Sequence, residues 1–302
     1  MDRRRPGPLI SLSGADLSPL GAALLLGLFS ALTLAAANVS VKMGGDILAS
    51  RALLQLSASI LTLPLIFILP WPDAATFSAL MIAVPVHFAY QLALIAAFKH
   101  GDLSLVFPIM RGTAPLLTAG AAWVVLDEAL PLAALAGLLI ATLAVIVFAL
   151  PPRGRRMRAH PDARAIAFAA LTAIGIALYN VADARGVRLA PSPATFIVWL
   201  FTFDCVGTGT LFLVRRRGQI RDSIRRHWRF GLLGGVLSIF SYGAALYAFT
   251  LTEAARVSAI RETAVVFAAI AGAVLLKEGF GPRRIAAAAA LAAGLILMQL
   301  AT

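Results

Sequence analysis

Residues 98–131 read FKHGDLSLVFPIMRGTAPLLTAGAAWVVLDEALP: an arginine, Arg111, stands inside an apolar run that an acidic pair closes just before Pro131. The pattern returns at residues 248–282, AFTLTEAARVSAIRETAVVFAAIAGAVLLKEGFGP, where Arg-x-Thr-Ala and x-Glu recur. Arg111 and Arg261 are 261 − 111 = 150 residues apart, and Glu128 and Glu278 are 278 − 128 = 150 apart. Two landmarks at one offset, with equal apolar lengths between them, argue for an internal duplication. In an apolar chain that is the pattern of secondary transporters.

The duplication extends outward. Asn38-Val39-x4-Gly44 matches Asn180-Val181-x4-Gly186 at an offset of 186 − 44 = 142, and Tyr90 matches Tyr242 at 242 − 90 = 152. Offsets that drift with loop length are expected of an old duplication. Apolar segments of membrane-crossing length, about 20 residues, fall at 18–40, 47–69, 75–98, 103–126, 130–150, 165–185, 193–214, 230–250, 254–276 and 283–301. The breakers Gly44-Gly45, Pro70-Trp71-Pro72, Gly101-Asp102, Pro151-Pro152 and Pro191-Ser192-Pro193 separate them. The expected architecture is therefore all-α integral membrane, with ten transmembrane helices as two inverted five-helix repeats. An odd number per half makes the second half enter with opposite polarity. The repeats span residues 1–150 and 165–302, and a basic linker, 151–164, joins them.

Composition agrees. Of 302 residues, 60% are hydrophobic and 13% charged, with a mean hydropathy of +0.89. Soluble domains carry roughly 25% charge. The single cysteine, Cys205, excludes an internal disulfide and a cysteine-based metal cluster. The net charge of +12 does not indicate nucleic acid, because the arginines gather in short loops with no aromatic-interleaved basic domain. They are placed to fix orientation and to contact anionic lipid. Arg3, Arg4 and Arg5 imitate a secretory signal, but the apolar run after them is too long and too distant, so the first segment is read as uncleaved. Arginines are dense after segments five and seven (Arg153 to Arg164, Arg215 to Arg229), which places those loops in the cytoplasm by the positive-inside rule. Residues 215–229 also read as a short amphipathic helix on the membrane surface.

Arg111 lies about eight residues into its segment, roughly 12 Å along a helix axis. A central arginine costs at least ~2.5 kcal/mol to insert, so it must face a wet cavity or a partner. Arg261 is its counterpart. Glu262 beside it points about 100° away and can pair with another helix; it and Asp183 are the candidates for coupling to protons. Thr113 and Thr263 belong to the repeated Arg-x-Thr-Ala motif. Asn38 and Asn180 sit near the ends of the first and sixth segments, where asparagine serves either to join helices or to bind ligand. Tyr179 and Asp183, four apart, share a face. His87, Tyr90 and Gln91 share another, with Tyr242 as the later counterpart; tyrosines there serve a solute cavity or interfacial anchoring. Glu128 and Glu278 precede the prolines that open the next segments (Pro131, Pro282), where an acid caps free N–H groups. Walker A, GxSxG and HExxH motifs are absent from the sequence.

On these residues the chain resembles the drug/metabolite transporter superfamily, specifically EamA-type carriers of ten helices in two halves. The resemblance rests on the Asn-bearing first segment of each half, Arg51 opening segment two, Ala97-Phe98 to Pro108, and the closing Asp127-Glu128 and Lys277-Glu278. It implies a bundle with the solute cavity between the halves, lined by segments three, four, eight and nine with one and six. It departs at Ser258, where the second half lacks the proline matching Pro108, and in the loop after segment two, which lacks a basic run. The expected activity is secondary transport of a small amino-acid-like or anionic metabolite by alternating access, without a cofactor, in a bacterial inner membrane, as monomer or homodimer. Arg111 would hold the anionic group with Arg261 assisting, and Tyr90 and Tyr242 would line the cavity. An intramembrane enzyme or an accessory membrane protein acting on a lipid-linked or anionic substrate is the alternative.

Overall fold

The computed structural model describes residues 18–100, 103–149, 163–267, 270 and 282–301. Within them lie ten α-helices: α1 (Pro19–Met43), α2 (Ile47–Thr62), α3 (Ala74–His100), α4 (Leu103–Leu126), α5 (Leu132–Ala149), α6 (Ala163–Leu189), α7 (Pro193–Arg215), α8 (Ile220–Ala248), α9 (Ala254–Arg261) and α10 (Pro282–Leu300). Most of the basic stretch 151–164, and Lys277-Glu278, lie outside the described residues. Eight spans are long and apolar enough to cross a bilayer, and α5 adds a shorter one, Leu132–Phe148. Large apolar side chains such as Met81, Val124, Leu143 and Ile296 point outward, half or more exposed. An apolar exterior would be untenable in water and suits hydrocarbon. The chain is an integral membrane protein.

Local chemistry sets the helix ends. Asp46 Oδ1 accepts from the Ala49 N–H at 3.1 Å to start α2. Asp73 Oδ1 accepts from the Thr76 hydroxyl at 2.6 Å and its N–H at 2.8 Å to start α3, and these bonds hold the Asp73 carboxyl below its usual range. Ser192 caps α7, whose first residue is Pro193. The second apolar segment, expected to 69, is helical only to Thr62. Pro64 then lacks the N–H an α-helix needs, and the chain tightens into a 3-10 turn over Leu63–Phe67. The basic run at 215–229 is not a separate surface helix. Gly218, with φ of 83°, breaks the chain after α7, and Ile220 to Arg229 then form the opening turns of α8 without a further breaker.

The helices interleave between the two halves of the sequence. α3 packs on α6, α1 on α8, α5 on α10, and α2 between α7 and α8, while α4 contacts α6, α5 and α9. Where α5 crosses α10, a Cβ on Gly137 would meet the Gly294 carbonyl oxygen at 2.5 Å and Met298 N at 2.6 Å. One on Gly294 would in turn meet Ala141 N and the Gly137 oxygen, each at 2.7 Å. The contact is reciprocal and backbone to backbone, which only glycine permits; small residues serve the same end in other membrane helix pairs.

The ninth segment departs most from its expected 254–276. α9 ends at Arg261, and Glu262 and Thr263 form a turn before helical backbone resumes at 264–267. That break occurs although Ser258 stands where a proline was expected. Two buried charged residues, Arg261 and Glu262, lie at it.

Candidate functional site

The buried charges and aromatic rings gather where α3, α4, α6, α8 and α9 meet. Arg111, projecting from α4, brings its Nε to 3.2 Å from Glu262 Oε2, with side-chain exposures of 15% and 4%. The partner that a deeply placed arginine requires is thus supplied by the break after α9. Pro115 of α4, Leu138 and Thr142 of α5, and Ala259 of α9 pack beside Glu262.

Arg261 is placed differently. It is 7% exposed, its guanidinium carbon lies 5.4 Å from the centre of the Tyr242 ring, and its Nε has no hydrogen-bond partner. Among the described residues no carboxylate stands within ion-pair distance of it. A cation over a ring face is attracted by the ring quadrupole, by about 2 kcal/mol when desolvated. That does not replace a counter-anion.

Around Tyr242 the rings form a box. Tyr179 stacks on His87 at 4.6 Å between centroids and meets Tyr90 at 5.0 Å and Tyr242 at 6.4 Å, while Phe201 of α7 closes on Tyr242 at 6.2 Å. Asp183, fully buried on α6, is 2.9 Å from His87 Nε2 and accepts a hydrogen bond from the Tyr242 hydroxyl. Tyr242 Oη also lies 3.1 Å from His87 Nε2. One turn away, Asn180 Nδ2 donates to Thr118 Oγ1 at 3.2 Å and to Ser258 Oγ at 3.1 Å. Ser258 is the residue that replaces the expected proline, and its hydroxyl ties α9 to α6.

The structure therefore brings together Arg111, Arg261, Glu262, Tyr90, Tyr242, Asp183 and Asn180 from the sequence candidates. It does not bring Asn38 in, which is exposed near the end of α1. Thr113 and Thr263 spend their hydroxyls on their own backbone, donating to the carbonyls of Ile109 at 2.6 Å and Ile260 at 2.7 Å. Thr118 and Asp204 are not among the residues the sequence points to, and His87 has no role assigned by sequence alone. A histidine in the middle of an apolar segment was the available signal for His87. For Thr118 no signal existed, because a threonine in an apolar helix is unremarkable until its partner is known.

Glu128 does cap a helix, but not α5. Asp127, with φ of 55°, turns the chain out of α4, and the Glu128 N–H bonds back to the Ala122 carbonyl at 3.2 Å. Its side chain then crosses to the other half of the sequence. Oε2 accepts the Ala254 N–H at 2.8 Å, at the start of α9, and Oε1 pairs with Arg188 at 2.6 Å. Glu278, its counterpart in the repeat, lies outside the described residues. Arg256 also serves a helix end: it is 2% exposed, pairs with Glu253 at 2.9 Å, and donates to the carbonyls of Met298 and Ala301 at the end of α10.

Comparisons with known proteins bear on this architecture. No curated protein matches the chain in sequence. Of 28 matching solved chains, one, titled only as the crystal structure of a protein, superposes with a TM-score of 0.72 at 17% identity, over 92% of this chain and 96% of that one. At that identity the likeness concerns the fold. A family model, that of the EamA-like transporter family, matches residues 163–300, which hold Asp183, Tyr242, Arg261 and Glu262. By that match the C-terminal half of this helical membrane protein is similar to the EamA-like transporter family.

Proposed function

We propose that the chain is a secondary carrier that moves a small anionic organic metabolite, amino-acid-like or a simple carboxylate, across the bilayer by alternating access. The observation that carries this reading is Arg261: a guanidinium at membrane depth, buried, set over an aromatic ring, with no carboxylate partner among the described residues. The Arg261 Nε has no acceptor of its own, and a solute anion would supply one. The roles of the two arginines are thereby exchanged relative to the sequence expectation. Arg111 is already neutralised by Glu262 and orients the site, while Arg261 takes the anionic group. Tyr90, Tyr179 and Tyr242 offer rings and hydroxyls to the organic part of the solute. Asn180 serves mainly to join α4, α6 and α9 at the edge of the site.

The two halves, 1–150 and 165–302 joined by 151–164, act as inverted repeats in this reading. The packing supports it. Exchanging each helix of one half for its counterpart turns the α3–α6 pair into α8–α1, and leaves α5–α10, α2–α7 and α4–α9 unchanged. The reciprocal Gly137–Gly294 crossing has the same property. Rocking of one half against the other would then expose the site alternately to each side. A bacterial inner membrane, with the protein as monomer or homodimer and protons as coupling ion, is the setting we assign.

The test is uptake into proteoliposomes of a radiolabelled panel of monocarboxylates, dicarboxylates, amino acids and phosphate esters. Arg261→Ala is expected to lower uptake of the accepted solute at least tenfold, and Arg261→Lys to lower it less. Unchanged uptake in both Arg111→Ala and Arg261→Ala would remove the anion site.

A further inference from the structure

The buried ionisable groups do not sum to zero as they stand. Two guanidiniums (Arg111, Arg261), three carboxyls (Asp183, Glu262 and the partly exposed Asp204, one oxygen of which is buried) and one imidazole (His87) meet in the helix core. With the acids ionised and the imidazole neutral, the set carries one net negative charge, and one added proton cancels it. Uncompensated charge at membrane depth is costly, so the set has a place for one proton.

Geometry says where. Glu262 already has Arg111 as an ion-pair partner at 3.2 Å. At the seam between α3 and α6, His87 Nε2 and Asp183 Oδ2 face each other at 2.9 Å, 8% and 0% exposed. The Tyr242 hydroxyl donates to the same carboxylate oxygen, and the other one, Oδ1, has no hydrogen-bond partner. Every packed element contributes a group. Tyr179 comes from α6 itself and Tyr90 from α3. Asp204 of α7 has a buried oxygen without a partner, and Arg261 of α9 reaches the pair through the Tyr242 ring of α8.

We propose that His87 and Asp183, steadied by the Tyr242 hydroxyl, form the proton-binding site of this protein, separate from the Arg111–Glu262 pair. In the loaded state the proton occupies the gap between Nε2 and Oδ2 while imidazole Nδ1 keeps its own hydrogen. Uptake takes one proton from water and release returns it. The assignment rests on the carrier reading only for the use made of that proton. An anion arriving at Arg261 adds a negative charge on the far side of the Tyr242 ring from the pair, so it strengthens proton binding. By linkage the proton strengthens anion binding by the same factor. Anion and proton therefore travel together, the proton offsetting the charge that a monoanion brings.

The experiment uses the full chain in detergent, labelled with nitrogen isotope in its histidine rings, with ring resonances followed between about pH 4 and pH 9, the range in which imidazoles titrate. The resonance missing from His87→Gln is expected to show a protonation step. Asp183→Asn is expected to displace that step by at least about one pH unit, tenfold in proton affinity, and Glu262→Gln by less than a third of that. Should Asp183→Asn not fold, Tyr242→Phe keeps the ring and must displace the step as well. A His87 resonance without a titration step, or one indifferent to both Asp183→Asn and Tyr242→Phe, overturns the proposal. The carrier reading fails separately. An intact His87 titration with no uptake of any solute in the panel keeps the proton site and removes the carrier. Arg261-dependent uptake with a silent His87 does the reverse.

Discussion

Glu128→Ala isolates the contribution of a cap that reaches across the molecule. α9 has only eight residues, and its N-cap residue, Glu253, makes no side-chain cap hydrogen bond. The acceptor for the Ala254 N–H is Glu128 Oε2, and Ala254 is fully buried. Truncating Glu128 leaves that N–H without a partner away from water, which costs about 1–3 kcal/mol. The ion pair adds little. Arg188 is 30% exposed and keeps its bonds to the Phe249 carbonyl at 2.7 Å and the Thr252 carbonyl at 3.0 Å, so its share is about 0.5 kcal/mol. Loss of a negative charge at a helix N-terminus removes roughly another 0.5 kcal/mol. The sum is about 2–4 kcal/mol. At roughly 2–4 °C per kcal/mol for a chain beyond 150 residues, the melting temperature should fall by about 4–16 °C. Glu128→Gln keeps an oxygen for the N–H and gives up only the charge, so it should lose about 1 kcal/mol. Tryptophan fluorescence melts of both variants in one detergent read the difference. Equal losses in the two variants would refute the cap as the main contribution. So would wild-type stability in Glu128→Ala.

Gly294→Ala puts a methyl group 2.7 Å from backbone atoms of α5, which cannot yield as a side chain would. A loss of about 1–3 kcal/mol is expected from overpacking, read as a lower melting temperature, with Gly120→Ala, where the added methyl meets nothing, as the silent control. Arg256→Ala frees the carbonyls of Met298 and Ala301 and leaves Glu253 without its partner, and limited proteolysis should then trim the C-terminus at least several-fold faster. Glu262→Leu strands the Arg111 guanidinium and should cost about 3–5 kcal/mol, whereas the Arg111→Met/Glu262→Leu pair should recover most of that loss in the same melt.

The helix order was legible because membrane spans advertise themselves. Hydrocarbon demands about 20 apolar residues, and breakers such as Pro191-Ser192-Pro193 and Gly44-Gly45 cannot be helix interior. The α9 break was not legible. Its cause is no local breaker but a set of tertiary demands: Ser258 bonded to Asn180, Glu262 drawn to Arg111, and Arg261 turned to Tyr242. Arg111 and Glu262 were legible as groups that need partners, since charge in an apolar run is conspicuous. Their pairing was not, because an offset in sequence carries no information about which helices touch. Glu128 was read correctly as a cap and given the wrong helix for the same reason: the nearest N-terminus in sequence is α5, and the nearest in space is α9. Asn38 shows the opposite failure. The repeat makes it the twin of Asn180, yet it is exposed while Asn180 is buried. Matching residues in two halves need not share an environment.

The partners of α6 have a meaning for biosynthesis. The ribosome delivers α3 and α4 before α6, so His87 and Thr118 are already in the membrane when Asp183 and Asn180 arrive. Tyr242 and Ser258 come only later. An aspartate at the centre of an inserting helix costs about 2.5–3.5 kcal/mol and one nearer the end, as Asp183 is in α6, costs less; a waiting imidazole lowers that barrier before the second half exists. A nascent chain halted after α7 should therefore insert α6 efficiently, and the same chain with His87→Leu should leave a larger fraction of α6 outside the bilayer.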